Sequence, residues 1–310
     1  MKTLVIGGGG LIGSSLCKSL SREFGKAQSP STIPWNNTEQ AVRELRRTVK
    51  DFLSESAEER WIIAWCAGRG GFSSVSSELE SEKNCLIGVL DELAASMNND
   101  GVFFFASSAG AIYTESGSQV FTENSPTSIS NDYGKHKLEQ ETVISQFAQN
   151  TKTRCAIGRL VSIYGPNQNL QKPQGLISQL CLNAIKNITT DIYVPLGTTR
   201  NYLFADDAAN MIVQYVNYVD NVAIVNDSYC YIKILCSHES VSISSVCKSL
   251  SNVMKKKTLI KVHLSPISPK YPQHFTVRSV TAPDLGQYCQ TTLISGIGQI
   301  FKNLKLQEKY

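Results

Sequence analysis

Continuous apolar runs alternate with amphipathic stretches along the first half of this chain. The apolar runs are residues 4–6, 61–66, 102–106 and 155–160. The first three are uninterrupted and the fourth is broken only by Arg159, a pattern typical of parallel strands that are covered on both faces. Between them, apolar positions recur at helical spacing in residues 38–54, 77–97 and 132–149. This alternation predicts an α/β fold, a doubly wound parallel sheet of the Rossmann type.

The pattern becomes mixed after Tyr164. Further helices are predicted at residues 176–186 and 206–218, a short strand at 192–194 and a return strand at 222–225. We therefore expect one large domain in residues 1–165, to which about 198–226 return. A smaller C-terminal portion is expected mainly in 166–310.

The composition excludes several classes of function. The chain has 310 residues, 42% of them hydrophobic, and 30 basic against 26 acidic residues leave a formal net charge of only +4. No basic block is interleaved with aromatic residues, so nucleic-acid binding is not indicated. No apolar run approaches the roughly 20 residues that span a bilayer, so no membrane span is expected.

The cysteines indicate a compartment. There are 9 of them, scattered without Cys-x-x-Cys spacing, and no His, Cys or Asp grouping has the spacing of a metal site. An odd number of unclustered cysteines, with no signal peptide in the sequence, predicts reduced thiols and a cytoplasmic location. No bound metal is expected.

A glycine-rich turn follows the first predicted strand. It comprises Gly7, Gly8, Gly9, Gly10, Leu11, Ile12 and Gly13, and a helical pattern follows. Gly7, Gly10 and Gly13 fit the spacing G-x-x-G-x-x-G, whereas Gly8, Gly10 and Gly13 fit G-x-G-x-x-G. Strand, glycine turn and helix in this order bring a phosphate close to the main chain and to the positive end of the helix. The turn is therefore predicted to hold the pyrophosphate of NAD or NADP.

The second strand is weakly marked. Residues 25–37 occupy its place, but Pro30 and Pro34 make a poor strand. The acidic residue that would bind the ribose hydroxyls of NAD at the end of this strand is missing. The choice between NAD and NADP therefore stays open.

Small residues follow the strand predicted at 61–66. They are Ala67 and Gly68, continued by Arg69, Gly70 and Gly71. The carboxyl end of a parallel strand lies at the edge where ligands bind in open α/β sheets. We therefore expect Ala67 and Gly68 to lie against the dinucleotide.

Tyr133 and Lys137 are four residues apart at the start of the helix predicted at 132–149, so they share one helix face. A tyrosine is a weak base at its ordinary pKa of about 10, and an adjacent ammonium stabilises the phenolate and lowers that pKa. Tyr133 is therefore a candidate acid/base at a sugar hydroxyl or ketone. His136 is expected to be exposed and not catalytic.

Together, these motifs resemble those of the extended short-chain dehydrogenases/reductases, the family of the nucleotide-sugar epimerases and dehydratases. The resemblance covers most of the chain. It includes GGGGLIG at 7–13, WCAG at 65–68, SSAGAIY at 107–113, YGKHK at 133–137, GRLVSIYGP at 158–166 and TRNYLFADDAA at 199–209. It implies that a tyrosine exchanges a proton with a sugar oxygen and that a lysine also holds the nicotinamide ribose. A serine or threonine helps to bind the reacting hydroxyl, and the nicotinamide exchanges a hydride with the sugar carbon.

Carried over to this chain, the resemblance makes Tyr133 the acid/base and Lys137 its partner. The catalytic hydroxyl of many relatives corresponds to Ala109, which has no hydroxyl, so Ser107 and Ser108 are the candidates in its place. The implied cofactor-binding residues are Gly7, Gly10, Leu11, Ile12, Gly13, Ala67, Gly68, Ser107, Tyr133 and Lys137.

The resemblance also implies a substrate side, formed by Ser108, Ser162, Arg200 and Arg278. A guanidinium suits a diphosphate because it makes forked hydrogen bonds. Asp206 and Asp207 stand at a helix start, where they are expected to cap the helix and complement its dipole.

The leading hypothesis is NAD(P)-dependent modification of a nucleotide-activated sugar, as an epimerase or ketoreductase, with bacterial surface polysaccharide synthesis as its setting. Two alternatives stay open. A non-catalytic dinucleotide-binding sensor would suit the alanine at 109 and the missing acid, and the third hypothesis is a reductase of a non-nucleotide carbonyl. Relatives commonly dimerise through a four-helix bundle, so residues 77–97 and 132–149 are the candidate interface of a homodimer.

Overall fold

The computed structural model describes residues 1–30, 32–55, 59–68, 76–97, 100–114, 120–171, 175–222, 224, 228–263 and 273–307. The strands are β1 (Lys2–Ile6), β2 (Trp61–Trp65), β3 (Gly101–Ser108), β4 (Val120–Phe121), β5 (Arg154–Leu160), β6 (Ser162–Tyr164), β7 (Thr190–Ile192), β8 (Thr199–Phe204), β9 (Cys230–Leu235), β10 (Ser240–Ser242), β11 (Ile260–Val262) and β12 (Thr276–Val277). The helices are α1 (Leu11–Phe24), α2 (Thr38–Glu55), α3 (Ser76–Ser96), α4 (Ala109–Ile112), α5 (Asp132–Thr151), α6 (Leu176–Ile185), α7 (Ala205–Asn221), α8 (Ile243–Met254) and α9 (Leu293–Gln307), with a 3₁₀ turn at Pro283–Tyr288.

A parallel sheet with the order β1-β2-β3-β5-β9 forms the centre of the described chain. Ile6 pairs with Trp65, and Trp65 pairs with Phe105, so the carboxyl ends of β1, β2 and β3 meet at one edge. The order and the parallel pairing confirm the predicted doubly wound sheet of the Rossmann type.

Each face of the sheet is covered by its own hydrophobic core. Val5, Ile62 and Phe104 face one core, which α1 and α7 complete. Their neighbours Leu4 and Ile63 face the other core, which α2, α3 and α5 complete. Because successive strand residues point to opposite faces, this double coverage explains why the strands are continuously apolar.

The strand expected in residues 25–37 is reduced to a single β-bridge. Gln28 pairs with Leu4, and two backbone hydrogen bonds of 2.8 Å join Gln28 to Thr3 and Val5. Pro30 follows at once and ends the pairing, because proline lacks the N–H that a longer ladder would need. The edge of the sheet beside β1 is therefore short, as the two prolines predicted.

The return strand was predicted wrongly. Residues 222–225 were expected to form it, but Val222 and Ile224 lie outside any strand, and 223 and 225 lie outside the described residues. The strand that pairs with β5 is β9, Cys230–Leu235. A lysine at its centre, Lys233, breaks the apolar pattern although its side chain is fully buried.

A third core lies in the C-terminal part of the chain. It includes Tyr164, Leu180 and Ile297, whereas α7 and β9 belong to the central sheet and its cores. The division at residue 165 stays a prediction. Within the described residues, no helix combines the length and the apolar content needed to cross a membrane.

Candidate active site

The glycine turn is built by two contacts that only glycine allows. Gly7 has a φ of 93°, and a Cβ on it would lie 2.4 Å from the Ala67 nitrogen. A Cβ on Gly13 would lie 2.1 Å from the Gly7 carbonyl oxygen. The turn closes with a hydrogen bond of 3.0 Å from the Gly10 N–H to that same oxygen. A Cβ on Gly8 would also be crowded, at 2.2 Å from the Ser29 Oγ, but Gly7 combines a positive φ with backbone contacts, so the geometry favours the register of Gly7, Gly10 and Gly13.

The open side of the turn faces a large cavity of about 880 Å³. Gly9, Gly10 and Leu11 line it, and a Cβ on Gly9 would meet nothing within 4 Å. Gly10 is the residue before the first turn of α1, whose N–H groups have no partner within the helix. Ile12 packs into the neighbouring core. The turn thus offers an uncovered backbone and a positive helix end to an anion.

The end of β2 lies against the turn. Ala67 is buried beneath Gly7, and a Cβ on Gly68 would come within 3.3 Å of the Glu82 carboxylate. Arg69, Gly70 and Gly71, which the sequence pattern also brought to this place, lie outside the described residues.

Tyr133 and Lys137 stand on the first turns of α5. The Asn131 side chain caps this helix by accepting from the Gly134 N–H at 2.8 Å. A Cβ on Gly134 would lie 2.2 Å from the Ala111 carbonyl oxygen, so glycine lets α5 approach α4 closely. Tyr133 is half-buried and lines the cavity, and the Lys137 ammonium lies 5.8 Å from the centre of its ring.

The pKa of Tyr133 shifts in the direction opposite to the sequence expectation. Burial raises the pKa of Tyr133, and the carboxylate of Glu82 adds to the rise. Lys137 and a hydrogen bond with Ser108 act to lower that pKa but do not outweigh the burial. The phenol is therefore the form that this structure favours.

Lys137 is paired with a carboxylate that the sequence analysis did not identify. Its Nζ donates to Glu82 Oε1 at 3.0 Å, and both side chains are buried. Burial acts to raise the pKa of Glu82, but the charge of Lys137, the neighbouring His136 ring and the hydrogen bond from Lys137 bring it down to about 2. No local pattern marks residue 82, because its role depends on α3 crossing α5.

His136 was expected to be exposed, and that prediction is wrong. Its side chain is only 4% exposed, and Nε2 lies 3.8 Å from Glu82 Oε1, beyond hydrogen-bond distance. The helix buries this side because α3 packs against it.

The two candidate serines point in opposite directions. Ser107 is buried, and its hydroxyl donates to Glu141 Oε1 at 2.6 Å. Glu141 is held in turn by Arg159, which donates at 3.0 and 2.7 Å. Ser108 lines the cavity and is hydrogen-bonded to Tyr133. The alternation along β3 thus leaves Ser108 at the cavity and Ser107 in the interior.

The cavity extends from Tyr133 to the C-terminal part of the chain. Ser162 and Arg200 line it, and the Arg200 guanidinium donates to the Thr199 carbonyl oxygen at 2.7 Å. Arg278 is exposed and is not among the lining residues. Tyr164, at the end of the segment that resembles the substrate side of the family, also lines the cavity, and lining residues that the sequence did not indicate include Asn167, Gln168, Tyr202 and Phe275.

The aspartate pair at the start of α7 ties elements together instead of capping its own helix. Asp206 accepts from the Ser15 hydroxyl at 2.6 Å, and Asp207 accepts from the backbone of Gln290 and Thr291 at 3.0 and 2.7 Å. No side chain caps α7. In the described chain, no group of three or more His, Cys, Asp or Glu residues is placed to hold a metal.

The sequence matches a family model and several characterised proteins. The model, described as the NAD dependent epimerase/dehydratase family, matches residues 3–226. A dTDP-L-rhamnose 4-epimerase of Burkholderia thailandensis is 36% identical over 93 residues, which cover 30% of this chain but only 25% of that relative. A dTDP-4-dehydro-6-deoxyglucose reductase of Escherichia coli is 23% identical over 278 residues, covering 83% of each chain.

Solved structures share the fold over nearly the whole chain. The UDP-glucose 4-epimerase of Thermus thermophilus in complex with NAD is 17% identical, with a TM-score of 0.80 and coverage of 98% of this chain and 99% of that one. The UDP-glucuronic acid 4-epimerase of Bacillus cereus, in complex with UDP-glucuronic acid and NAD, is 18% identical, with a TM-score of 0.78 and coverage of 99% and 100%.

Proposed function

Because the chain belongs to the NAD-dependent epimerase/dehydratase family, we propose that it modifies a nucleotide-activated sugar by hydride transfer to and from NAD or NADP. The observation that carries the proposal is a shared cavity: the glycine turn, Ser108 and Tyr133 all line it. The named relatives are epimerases and a reductase, which supports these two reaction types.

The residues present fit a dinucleotide. Gly9 and Gly10 leave the backbone uncovered, and the start of α1 complements a pyrophosphate. Ala67 would lie beside it, and Lys137 would reach the nicotinamide ribose. The dinucleotide, when bound, supplies a hydride acceptor and donor. The dinucleotide that co-purifies with the protein distinguishes NAD from NADP.

Tyr133 would move the proton in this reaction. Tyr133 lines the cavity and is hydrogen-bonded to Ser108, which also lines it, so its hydroxyl can exchange a proton with a sugar oxygen there. Ser108, hydrogen-bonded to Tyr133, would hold that oxygen, and Lys137 would offset the charge of the phenolate. This arrangement supports an enzyme over a non-catalytic sensor, since Ser108 supplies the hydroxyl that Ala109 lacks.

Replacing Tyr133 tests the proposal. Tyr133→Phe should lower the turnover of a nucleotide sugar by about 10²- to 10⁴-fold, because it removes the proton-transfer group and keeps the ring. Tyr218→Phe is the matched control, since Tyr218 is 40% exposed on α7 and outside the cavity lining. Steady-state assays over a panel of nucleotide sugars measure both. A wild-type protein that binds dinucleotide but converts no member of the panel would favour the sensor.

Arg200 is proposed to bind the substrate diphosphate. Arg200→Gln should weaken the binding of a nucleoside diphosphate about 10- to 100-fold, as expected for losing hydrogen bonds to a charged group. Arg278→Gln should leave it unchanged, because Arg278 is exposed and outside the cavity lining. Calorimetry with UDP, GDP, CDP and dTDP measures the binding of these nucleotides by both variants and by the wild type. Binding of none of these by the wild type would favour a reductase of a non-nucleotide carbonyl.

The homodimer and the compartment remain predictions. Lys83 of α3 donates to Glu139 of α5 at 3.0 Å, and no exposed large hydrophobic residue of the described chain lies on either helix. A four-helix bundle would thus be held by polar contacts, and a solution mass of one chain would exclude it.

All nine cysteines are free thiols, which agrees with a reducing cytoplasm, and cell fractionation tests that location.

A further inference from the structure

Glu82 is a buried carboxylate that the proposed reaction does not use. It lies on α3, is 7% exposed and faces the first turns of α5. Its Oε1 accepts from Lys137 Nζ at 3.0 Å and from Gln140 Nε2 at 3.3 Å. A charge placed so close to the acid/base pair in a buried setting acts strongly on it.

We propose that Glu82 is a positioning residue that fixes Lys137. Its negative charge offsets part of the positive charge of that lysine and so raises the proton affinity of Tyr133. The effect that we expect on the turnover of a nucleotide sugar rests on the proposed function. The structural part of the proposal, the hydrogen bond by which Glu82 holds Lys137 beside Tyr133, does not depend on that reaction.

The geometry places the ammonium between two partners. Lys137 Nζ lies 3.0 Å from Glu82 Oε1, 5.0 Å from the Phe105 ring centre and 5.8 Å from the Tyr133 ring centre. The aromatic ring of Phe105 lies on another side of the ammonium, which is buried. Glu82 therefore holds the cation and offsets part of its effect on the phenol.

Several ionisable and polar groups surround Lys137 and Tyr133. They are Cys66 at the end of β2, Glu82 of α3, Ser108 of β3, His136 and Glu141 of α5, and Arg159 of β5. Burial raises the pKa of Cys66, so its thiol stays neutral. Glu141 is balanced by its forked pair with Arg159, and His136 faces Glu82. Glu82 is thus the carboxylate whose charge bears most directly on Lys137 and Tyr133.

Removing the charge of Glu82 should make Tyr133 more acidic. Glu82→Gln keeps an oxygen that can accept from Lys137 but removes the negative charge, so the phenolate is better stabilised. The titration midpoint of Tyr133 should fall by about one pH unit or more. The limb of the pH–rate profile that Tyr133 controls should move to lower pH by the same amount, whether Tyr133 acts as acid or as base.

The titration of Tyr133 can be measured without an activity assay. The tyrosinate absorbance of each protein minus that of its Tyr133→Phe counterpart isolates one of the 12 tyrosines. Glu139→Gln is the matched control, since it removes a carboxylate from α5 that is 40% exposed and paired with Lys83. Its midpoint should equal that of the wild type, and Glu82→Asp, which keeps the charge, should have a midpoint close to that of the wild type.

The outcomes separate this inference from the proposed function. An unmoved or raised midpoint in Glu82→Gln overturns the inference, whatever the turnover. If the Tyr133 midpoint is lowered in Glu82→Gln but the wild type converts no nucleotide sugar, the inference is supported and the proposed reaction is ruled out. If Glu82→Gln does not fold, Lys137→Met and Glu82→Gln/Lys137→Met are compared. The double variant must then have the lower Tyr133 midpoint, and equal midpoints would overturn the inference.

Discussion

Individual glycines of the opening turn differ in what a side chain would meet. Gly13→Ala places a methyl group 2.1 Å from the Gly7 carbonyl oxygen, a backbone atom that cannot move aside, whereas a Cβ on Gly9 meets nothing within 4 Å. We expect Gly13→Ala to cost about 1 to 3 kcal/mol of unfolding free energy and to weaken dinucleotide binding. Gly9→Ala, the stability control, should stay within about 0.5 kcal/mol of the wild type.

Urea unfolding and calorimetric titration with NAD and NADP measure these two effects. Equal stability of Gly13→Ala and the wild type would show that the turn does not pack as described. Loss of stability without loss of dinucleotide binding would separate the packing of the turn from its proposed role.

Glu82 should also make the stability of the protein depend on pH. Its pKa is about 2 in the folded protein, below the value of about 4.3 for an unperturbed glutamate. The carboxylate therefore stabilises the fold fully above about pH 4.3, and this contribution is lost as the pH falls toward about 2. Urea unfolding at several pH values compares the wild type with Glu82→Gln.

At neutral pH, Glu82→Gln should be less stable by about 3 to 5 kcal/mol, because it leaves Lys137 buried without its counter-charge. That difference should narrow steadily below about pH 4.3. A difference that stays constant down to about pH 2 would contradict the ion pair, and Glu139→Gln should show only a small difference throughout.

Sequence alone identified residues whose role follows from local spacing. The glycine turn and the Tyr133–Lys137 pair are of this kind, because a turn and a helix face are set by near neighbours. Glu82 and the burial of His136 were missed, since both result from α3 packing on α5. The two serines could be distinguished only once the strand register fixed which of them faces the cavity.

Predominantly apolar strands were easily predicted, even β5 with its Arg159, whereas β9 was not. β9 was missed because Lys233 stands in its centre. The structure shows why a lysine is tolerated there: its Nζ donates to the Ser279 hydroxyl at 2.7 Å and to the Thr281 and Ala282 carbonyl oxygens at 2.6 and 3.1 Å. These acceptors lie far along the sequence, so no local pattern reveals them.

Lys233→Met should test this anchoring. The substitution removes the donor while its acceptors remain, and we expect a loss of about 1 to 3 kcal/mol of unfolding free energy. Lys248→Met is the control, because Lys248 is exposed on α8 and should change stability by less than about 0.5 kcal/mol. Equal unfolding midpoints of the two variants in urea would contradict a structural role for Lys233.

In the molecule as a whole, the parallel sheet brings the residues of the candidate site together at one edge. The turn after β1, Ala67 after β2, Ser108 at the end of β3 and Ser162 after β5 all lie at carboxyl ends of strands or directly beyond them. This convergence was predictable, because parallel strands share a direction. The far wall of the cavity was predicted only in part, because the C-terminal part of the chain that forms it has no regular alternation of strands and helices.

The glycine turn and Tyr133 are proposed to serve one reaction in one cavity. Rapid mixing of the dinucleotide-loaded protein with each nucleotide sugar, while the absorbance of the reduced nicotinamide is recorded, tests this shared role. That absorbance should change in the wild type for at least one nucleotide sugar. In Tyr133→Phe the change should be strongly slowed although both ligands still bind. An equally fast change in both proteins, or no change with any nucleotide sugar that binds, would rule out this shared role.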